Sequence, residues 1–149
     1  MTMQRQLLHL VLALVVALSA SSGVVHAAAS LSFGQMYAGS TVRGLVLSDY
    51  LQSLAGQEVE MTGFMAPPLT PTINFFVLTE VPMSVCPFCS TDADWPNNIV
   101  VVKLQEPVVA LPFDAPITVR GSLELGSAVD AETGFVSLVR INAHSVTAQ

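Results

Sequence analysis

Two cysteines, Cys86 and Cys89, are the residues whose type and spacing most directly suggest chemistry. They form the tetrapeptide Cys-Pro-Phe-Cys within the stretch 82–98, which also contains the single tryptophan, Trp95. Two thiolates at C-x-x-C spacing can bind one soft metal ion, as each half of a zinc ribbon does. The pattern therefore predicts a metal-binding loop, with zinc or copper(I) as the ion.

A closed metal site needs more ligands than two thiolates. Asp92 and Asp94 lie on the same stretch, and His144 lies near the end of the chain. Met83, three residues before Cys86, creates an M-x-x-C-x-x-C spacing that would suit copper(I), because this ion prefers soft sulfur ligands. The candidate metal ligands are therefore Cys86, Cys89, Asp92, Asp94, His144 and Met83.

Two other roles stay open for the cysteine pair. Cys-Pro-Phe-Cys is also the dithiol sequence of glutaredoxin-like proteins, where a helix N-terminus lowers the pKa of the first cysteine. Residues 90–96 are too short and too polar to form that helix, so a thiol–disulfide protein would have another fold. The third role is a structural disulfide that stiffens the loop of a non-catalytic adaptor module.

The familiar catalytic motifs are absent from the sequence. There is no G-x-S-x-G, no H-E-x-x-H and no phosphate-binding loop. We therefore expect a protein that passes or buffers a metal ion rather than an enzyme.

Residues 1–27 predict a secretory signal peptide. Arg5 precedes an apolar run from Leu7 to Ala20, and Val25 and Ala27 fit the small-x-small cleavage pattern. This run is shorter than the roughly 20 residues that span a bilayer, so we expect no membrane span after cleavage. The predicted location is periplasmic or secreted, where thiols oxidise or bind metal.

The charge balance excludes one large class of partners. The formal net charge is −6, and loss of Arg5 with the leader leaves four basic residues against eleven acidic ones. Nucleic-acid binding needs a basic surface, so we expect no nucleic-acid partner. The leader also contains His9 and His26, which makes His144 the only histidine of the mature chain.

The remaining sequence predicts mainly β-strands. We interpret residues 28–47 as a lead-in segment with at most one short strand, and Ser48 as the N-cap of a short helix. Three prolines in 105–116 predict a linker, since proline is excluded from central strands. Hydrophobic alternation and apolar runs predict strands near 58–65, 73–81, 99–104, 117–125 and 135–146.

Five strands and one short helix predict an all-β domain over residues 48–149. The expected architecture is a small five-stranded OB-like barrel, with a β-sandwich as the alternative. Gly63 and Gly121 fall in the middle of strands, where a barrel needs sharp coiling or a bulge. Loop 82–98 is then an insertion between the second and third strands, and long loops of this kind are often functional.

The same pattern makes local predictions around the insertion. Trp95 is expected to pack against the barrel and fix the end of the loop. Phe75 and Phe76 are neighbours on one strand, so one should be in the core and the other near the surface. On the last strand, Arg140 and His144 are expected to share the outward face.

Several motifs resemble a group of small exported bacterial proteins of unknown function. Their pattern is a G-[FY]-[MV]-x-P strand, an F-[LV]-L strand, a cysteine-bearing loop and a P-N-x-[IV]-x-V strand; residues 63–67, 76–78 and 96–101 match it. The resemblance covers about residues 56–104 and implies an OB-like fold. Some members are associated with envelope metal-transport systems, which implies a metal-handling role with an envelope transporter or its binding protein as partner. Cys86 and Cys89 fall where many relatives have a cysteine followed by histidine.

Overall fold

The computed structural model describes residues 27–42, 44–68, 72–84, 95–130 and 134–149. The predicted all-β class with one short α-helix is confirmed. Almost all of the predicted signal peptide, residues 1–26, lies outside the described residues. Within the described ranges, no helix has the length and apolar character needed to cross a membrane. The elements in chain order are β1 (Ala29–Ser30), a 3-10 turn (Phe33–Gln35), β2 (Tyr37–Thr41), β3 (Gly44–Leu47), α1 (Asp49–Ser53), β4 (Glu58–Met65), β5 (Thr72–Thr79), β6 (Ile99–Val109), β7 (Pro116–Val129) and β8 (Val136–Ala148).

The alternating strands bury the face that the sequence predicts. In β4, Val59, Met61, Gly63 and Met65 are buried, while the alternate residues are more exposed. In β7, Ile117 and Val119 are buried in the same way. Successive side chains of a strand point to opposite faces, so this alternation gives each strand one core side.

The strands form a six-stranded sheet in the order β1-β4-β5-β6-β8-β7. β7 also pairs with β4 along Glu58–Phe64, so the pairing of β4, β5, β6, β8 and β7 returns to the strand where it began. β6 and β8 are parallel, and the other pairs in this circuit are antiparallel. The main core lies on the inner side of these strands and includes Phe76, Val100 and Ile141.

Two mid-strand glycines allow neighbouring backbones to approach closely. A Cβ atom at Gly63 would lie 2.6 Å from the Thr79 carbonyl oxygen. A Cβ atom at Gly121 would overlap the carbonyl group of Asn142 and the Cα of Ala143. Since real Cβ atoms do not approach backbone this closely, both positions require glycine, as their mid-strand placement predicts.

The lead-in segment contributes more to the fold than its sequence indicates. Residues 28–47 contain three short strands where the sequence predicts one at most. β4 pairs with β5 only at Phe64 and Met65, and β1 pairs with the earlier residues Val59 and Glu60. The side chains that follow β1, including Phe33 and Met36, are buried in the main core. The segment therefore fills the gap between β4 and β5.

The predicted linker 105–116 is partly wrong. β6 continues to Val109, although its pairing with β5 is interrupted between Lys103 and Val108. Pro107 lies inside this interruption, where its missing N–H costs no ladder hydrogen bond. Proline thus marks an irregularity in the strand rather than its end.

The predicted N-cap of the short helix is confirmed. The Ser48 hydroxyl accepts a hydrogen bond from the Leu51 backbone N–H at 3.0 Å. Gly56 follows the helix with φ of 74°, a conformation that favours glycine.

The glycine contacts give a first prediction. Gly121→Ala should lower the free energy of unfolding by about 1–3 kcal/mol, because the new methyl group overlaps β8 backbone that cannot move freely. Urea denaturation measures the change. Gly34→Ala is the matched control, since a Cβ there meets nothing within 4 Å and should change stability by less than about 0.5 kcal/mol. Equal effects of the two substitutions would contradict the close approach at Gly121.

Candidate functional site

The predicted metal ligands are divided between described and undescribed parts of the chain. Cys86, Cys89, Asp92 and Asp94 lie outside the described residues. Met83 is described and half-buried, and the described segment ends one residue later, at Ser84. Within the described ranges, no three His, Cys, Asp or Glu side chains gather in a way that could hold a metal ion.

The two ends of loop 82–98 are held beside each other. The Glu80 backbone N–H donates to the Asn98 carbonyl at 3.1 Å. The hydroxyl of buried Thr79 donates to the Val81 carbonyl at 2.8 Å. The loop thus leaves and re-enters the sheet at one fixed point.

Trp95 anchors the returning end of the loop, as predicted. Its side chain is 8% exposed, and its Nε1–H donates to the Tyr37 hydroxyl at 3.0 Å. The Trp95 and Phe135 rings are tilted at 51° with centroids 6.2 Å apart, and Phe135 stacks on Phe75 at 6.5 Å. These four aromatic residues, which we name the aromatic cluster, join the loop end to β2, β5 and the start of β8.

Of the two neighbouring phenylalanines, one lies in the core and the other near the surface, as predicted. Phe76 is buried in the main core, while Phe75 is half-buried on the opposite face beside Trp95 and Phe135. Burial raises the pKa of Tyr37, and the hydrogen bond from Trp95 opposes this effect in part. The Tyr37 hydroxyl is therefore neutral at physiological pH, where it accepts the indole hydrogen bond without a desolvated charge.

His144 lies at an irregularity of β8. Arg120 pairs with Ser145 and Gly121 pairs with Ala143, which leaves His144 as the extra residue of a β-bulge. Its Nε2 makes a hydrogen bond with Oε1 of Glu58 on β4, and both side chains are partly exposed. The bulge thus directs the imidazole across β7 towards a carboxylate.

The strand register separates His144 from the described ends of the loop. Val101, two residues into β6, pairs with Arg140, so Ile99 at the loop end is level with Leu138. His144 follows Leu138 by six residues, which is about 20 Å along a strand at ~3.3 Å per residue. The described structure brings His144 to Glu58, and does not bring it to Met83 or Trp95.

Arg140 lies on the outward face of β8, as its alternation with His144 predicts, but it is buried there. It is only 2% exposed, and it pairs with Val101 of the second hydrophobic cluster rather than facing the main core. Its Nη1 donates to the Gly126 carbonyl at 2.7 Å and to the Ser137 carbonyl at 2.8 Å, and its Nε lies 3.2 Å from Glu124 Oε2. An irregularity of β7 between Leu125 and Ala128 accompanies these contacts, and strand periodicity alone does not indicate it.

A polar groove of about 300 Å³ lies on the outer side of β4, β7 and β8. Glu60 and Arg120 form an ion pair on one side of it, and both are partly exposed. The other lining groups are hydroxyls and an amide, so the groove presents few metal-binding atoms. Its lining residues are Glu60, Thr118, Arg120, Ser145, Thr147 and Gln149.

Comparison with known proteins identifies a related fold. The chain is similar to the crystal structure of a DUF3299 family protein from Pseudomonas aeruginosa PAO1, with a TM-score of 0.57 and 18% sequence identity. The match covers 83% of this chain and 97% of the other. At this identity the similarity shows a shared fold alone. No protein-family model matches the chain, and no curated protein matches it significantly.

The ion pair of Arg140 gives a second prediction. Arg140, whose Nε lies 3.2 Å from Glu124 Oε2, lowers the pKa of Glu124 below its ordinary value of 4.5. A carboxyl group whose pKa is lower in the folded state stabilises the fold at pH values above its pKa in the unfolded chain. This stabilisation is lost as the pH falls through its lower pKa in the folded state. Glu124→Gln should therefore reduce the free energy of unfolding at pH 7 by at most about 1 kcal/mol. It should also remove part of the decrease in the free energy of unfolding that occurs below pH 4.5.

Chemical denaturation at pH 7 and at pH 3–4 tests this prediction. Glu106→Gln is the matched control, because Glu106 is an exposed glutamate on β6. The prediction fails if Glu124→Gln and Glu106→Gln have the same pH dependence.

Proposed function

We propose that this chain is an exported metal-binding protein whose loop 82–98 holds zinc or copper(I) through Cys86 and Cys89. One observation carries the proposal: the only two cysteines lie at C-x-x-C spacing in a loop whose two ends are anchored side by side. Anchored ends limit the conformations of the loop, which reduces the entropy that ion binding must overcome.

The proposed ligand set starts with the loop. Cys86 and Cys89 supply thiolates, and Asp92 or Asp94 supplies oxygen. His144 is a weaker candidate than the aspartates, because it is paired with Glu58 and lies far along β8 from the loop ends. Met83, which is half-buried and lies three residues before Cys86, is the additional ligand if the ion is copper(I).

The charge of two segments, 80–98 and 126–134, supports cation binding. The segments 80–98 and 126–134 contain five acidic residues and no lysine or arginine. The contact between Trp95 and Phe135 brings the described ends of these two segments together. Acidic groups around a site raise the local concentration of cations. The five residues are Glu80, Asp92, Asp94, Asp130 and Glu132.

We also propose that the domain is an OB-like barrel. Numbering only the five strands of the circuit from β4, the pairing order is first, second, third, fifth, fourth and back to first. The third and fifth of these strands are parallel. This circuit and the close approaches at Gly63 and Gly121 support a small closed sheet over an open sandwich.

The proposed physiological role is to pass or buffer the ion for an envelope transporter or its binding protein. The signal-like sequence of residues 1–27 and the motifs of residues 56–104 support this role, together with a periplasmic location. The protein would act without catalysing a reaction.

Titration of the reduced mature protein with zinc and with copper(I), followed by native mass spectrometry, tests the metal site. We expect one ion per chain, and loss of binding in the Cys86→Ser/Cys89→Ser variant because both thiolates are removed. His144→Ala should leave binding within a few-fold. Met83→Leu removes the thioether sulfur with little change in volume. It should weaken copper(I) binding and leave zinc binding unchanged.

Absence of a bound ion at micromolar metal, with both thiols reduced, would contradict the proposal. In that case the oxidation state of the isolated protein distinguishes the alternatives. A disulfide that exchanges with thiols near the potential of exchange catalysts would indicate a redox protein. An inert disulfide would indicate a structural or adaptor module.

A further inference from the structure

A second hydrophobic cluster lies on the outer face of β5 and β6. Val77 and Val101 alternate with residues of the main core and therefore point away from it. Both are buried, together with Ile99 and Trp95. An outward-facing apolar surface is buried only if another part of the chain covers it.

The hairpin β2–β3 provides much of this cover. Tyr37 on β2 and Leu45 on β3 pack against the second cluster, and Phe75 and Phe135 pack beside them. Among the described residues, β2 and β3 pair only with each other, and no strand pairing joins them to the six-stranded sheet. The hairpin is therefore held on the sheet by side chains rather than by a backbone ladder.

Most of the hairpin contributes little buried surface. Residues 38–42 are exposed, and Val42 near the turn is fully so. Val46 on β3 is 41% exposed. Segments with few buried apolar contacts open locally at a small fraction of the global unfolding free energy.

A polar contact links the hairpin to Trp95. This is the hydrogen bond from Trp95 Nε1 to the Tyr37 hydroxyl, at 3.0 Å. It joins β2 to the returning end of loop 82–98, and it lies at the base of the hairpin. Other described contacts of the hairpin are the packing of Tyr37, Leu45 and Leu47 and, at its base, the hydrogen bond from Gln52 Nε2 to the Leu47 carbonyl.

We propose that hairpin β2–β3 is a lid that opens as a unit from the outer face of β5 and β6, and that the Tyr37–Trp95 hydrogen bond holds it closed. Opening uncovers an apolar surface formed by Phe75, Val77 and Val101. The proposal does not depend on metal binding by the loop.

Hydrogen–deuterium exchange of the Tyr37→Phe variant tests the lid. Removing the hydroxyl while keeping the ring should accelerate exchange of the amides in 38–47 by about tenfold, and leave those of β7 and β8 unchanged. Tyr50→Phe is the matched control, because it removes the 2.8 Å hydrogen bond to the Ser30 carbonyl and leaves the hairpin contact intact. It should leave exchange in 38–47 unchanged.

The neutral apolar dye Nile red tests whether opening uncovers the apolar surface. Its fluorescence should increase several-fold more with Tyr37→Phe, and with Leu45→Ala, than with the wild type or Tyr50→Phe. Two results would overturn the proposal: exchange in 38–47 that does not change in Tyr37→Phe, or acceleration shared equally by β7 and β8. The second result would mean that the hairpin opens only when the whole domain unfolds.

Discussion

The structure depends on the way β4 shares its two edges. One edge pairs with β7 over seven residues, which closes the circuit of strands. The other edge pairs with β5 only at Phe64 and Met65. β1 pairs with the earlier residues of this edge, Val59 and Glu60, and the buried Phe33 and Met36 follow it into the main core. The lead-in segment therefore completes the pairing of β4.

The outer face of the strands has two regions of different character. Over β5 and β6 the surface is apolar and is covered by hairpin β2–β3 and Trp95. Over β4, β7 and β8 it is polar, with the pairs Glu58–His144 and Glu60–Arg120. Loop 82–98 returns at Trp95, on the apolar side. The sole histidine of the predicted mature chain lies in the polar region, away from the described ends of the loop.

Local sequence rules predict the parts of this fold in which the residue at one position determines its own conformation or burial. The alternation of β4 and β7, the N-cap at Ser48, the packing of Trp95 and the mid-strand glycines follow from local rules. Periodicity predicts the outward direction of Arg140 but not its burial. The burial accompanies hydrogen bonds to the carbonyl groups of Gly126 and Ser137 and an irregularity in β7. Periodicity also misses the lead-in strands, because their pairing partners are set by the incomplete contact of β4 with β5. The proposed ligands Cys86, Cys89, Asp92 and Asp94 are known from sequence alone.

The central claim, that the two cysteines bind a metal ion together, is tested most directly by zinc K-edge X-ray absorption of the zinc-loaded mature protein. The account predicts a shell of two sulfur atoms at about 2.3 Å and a shell of oxygen or nitrogen atoms at about 2.0–2.2 Å. A spectrum without sulfur scattering would contradict it, because any bound zinc would then be held by groups other than Cys86 and Cys89.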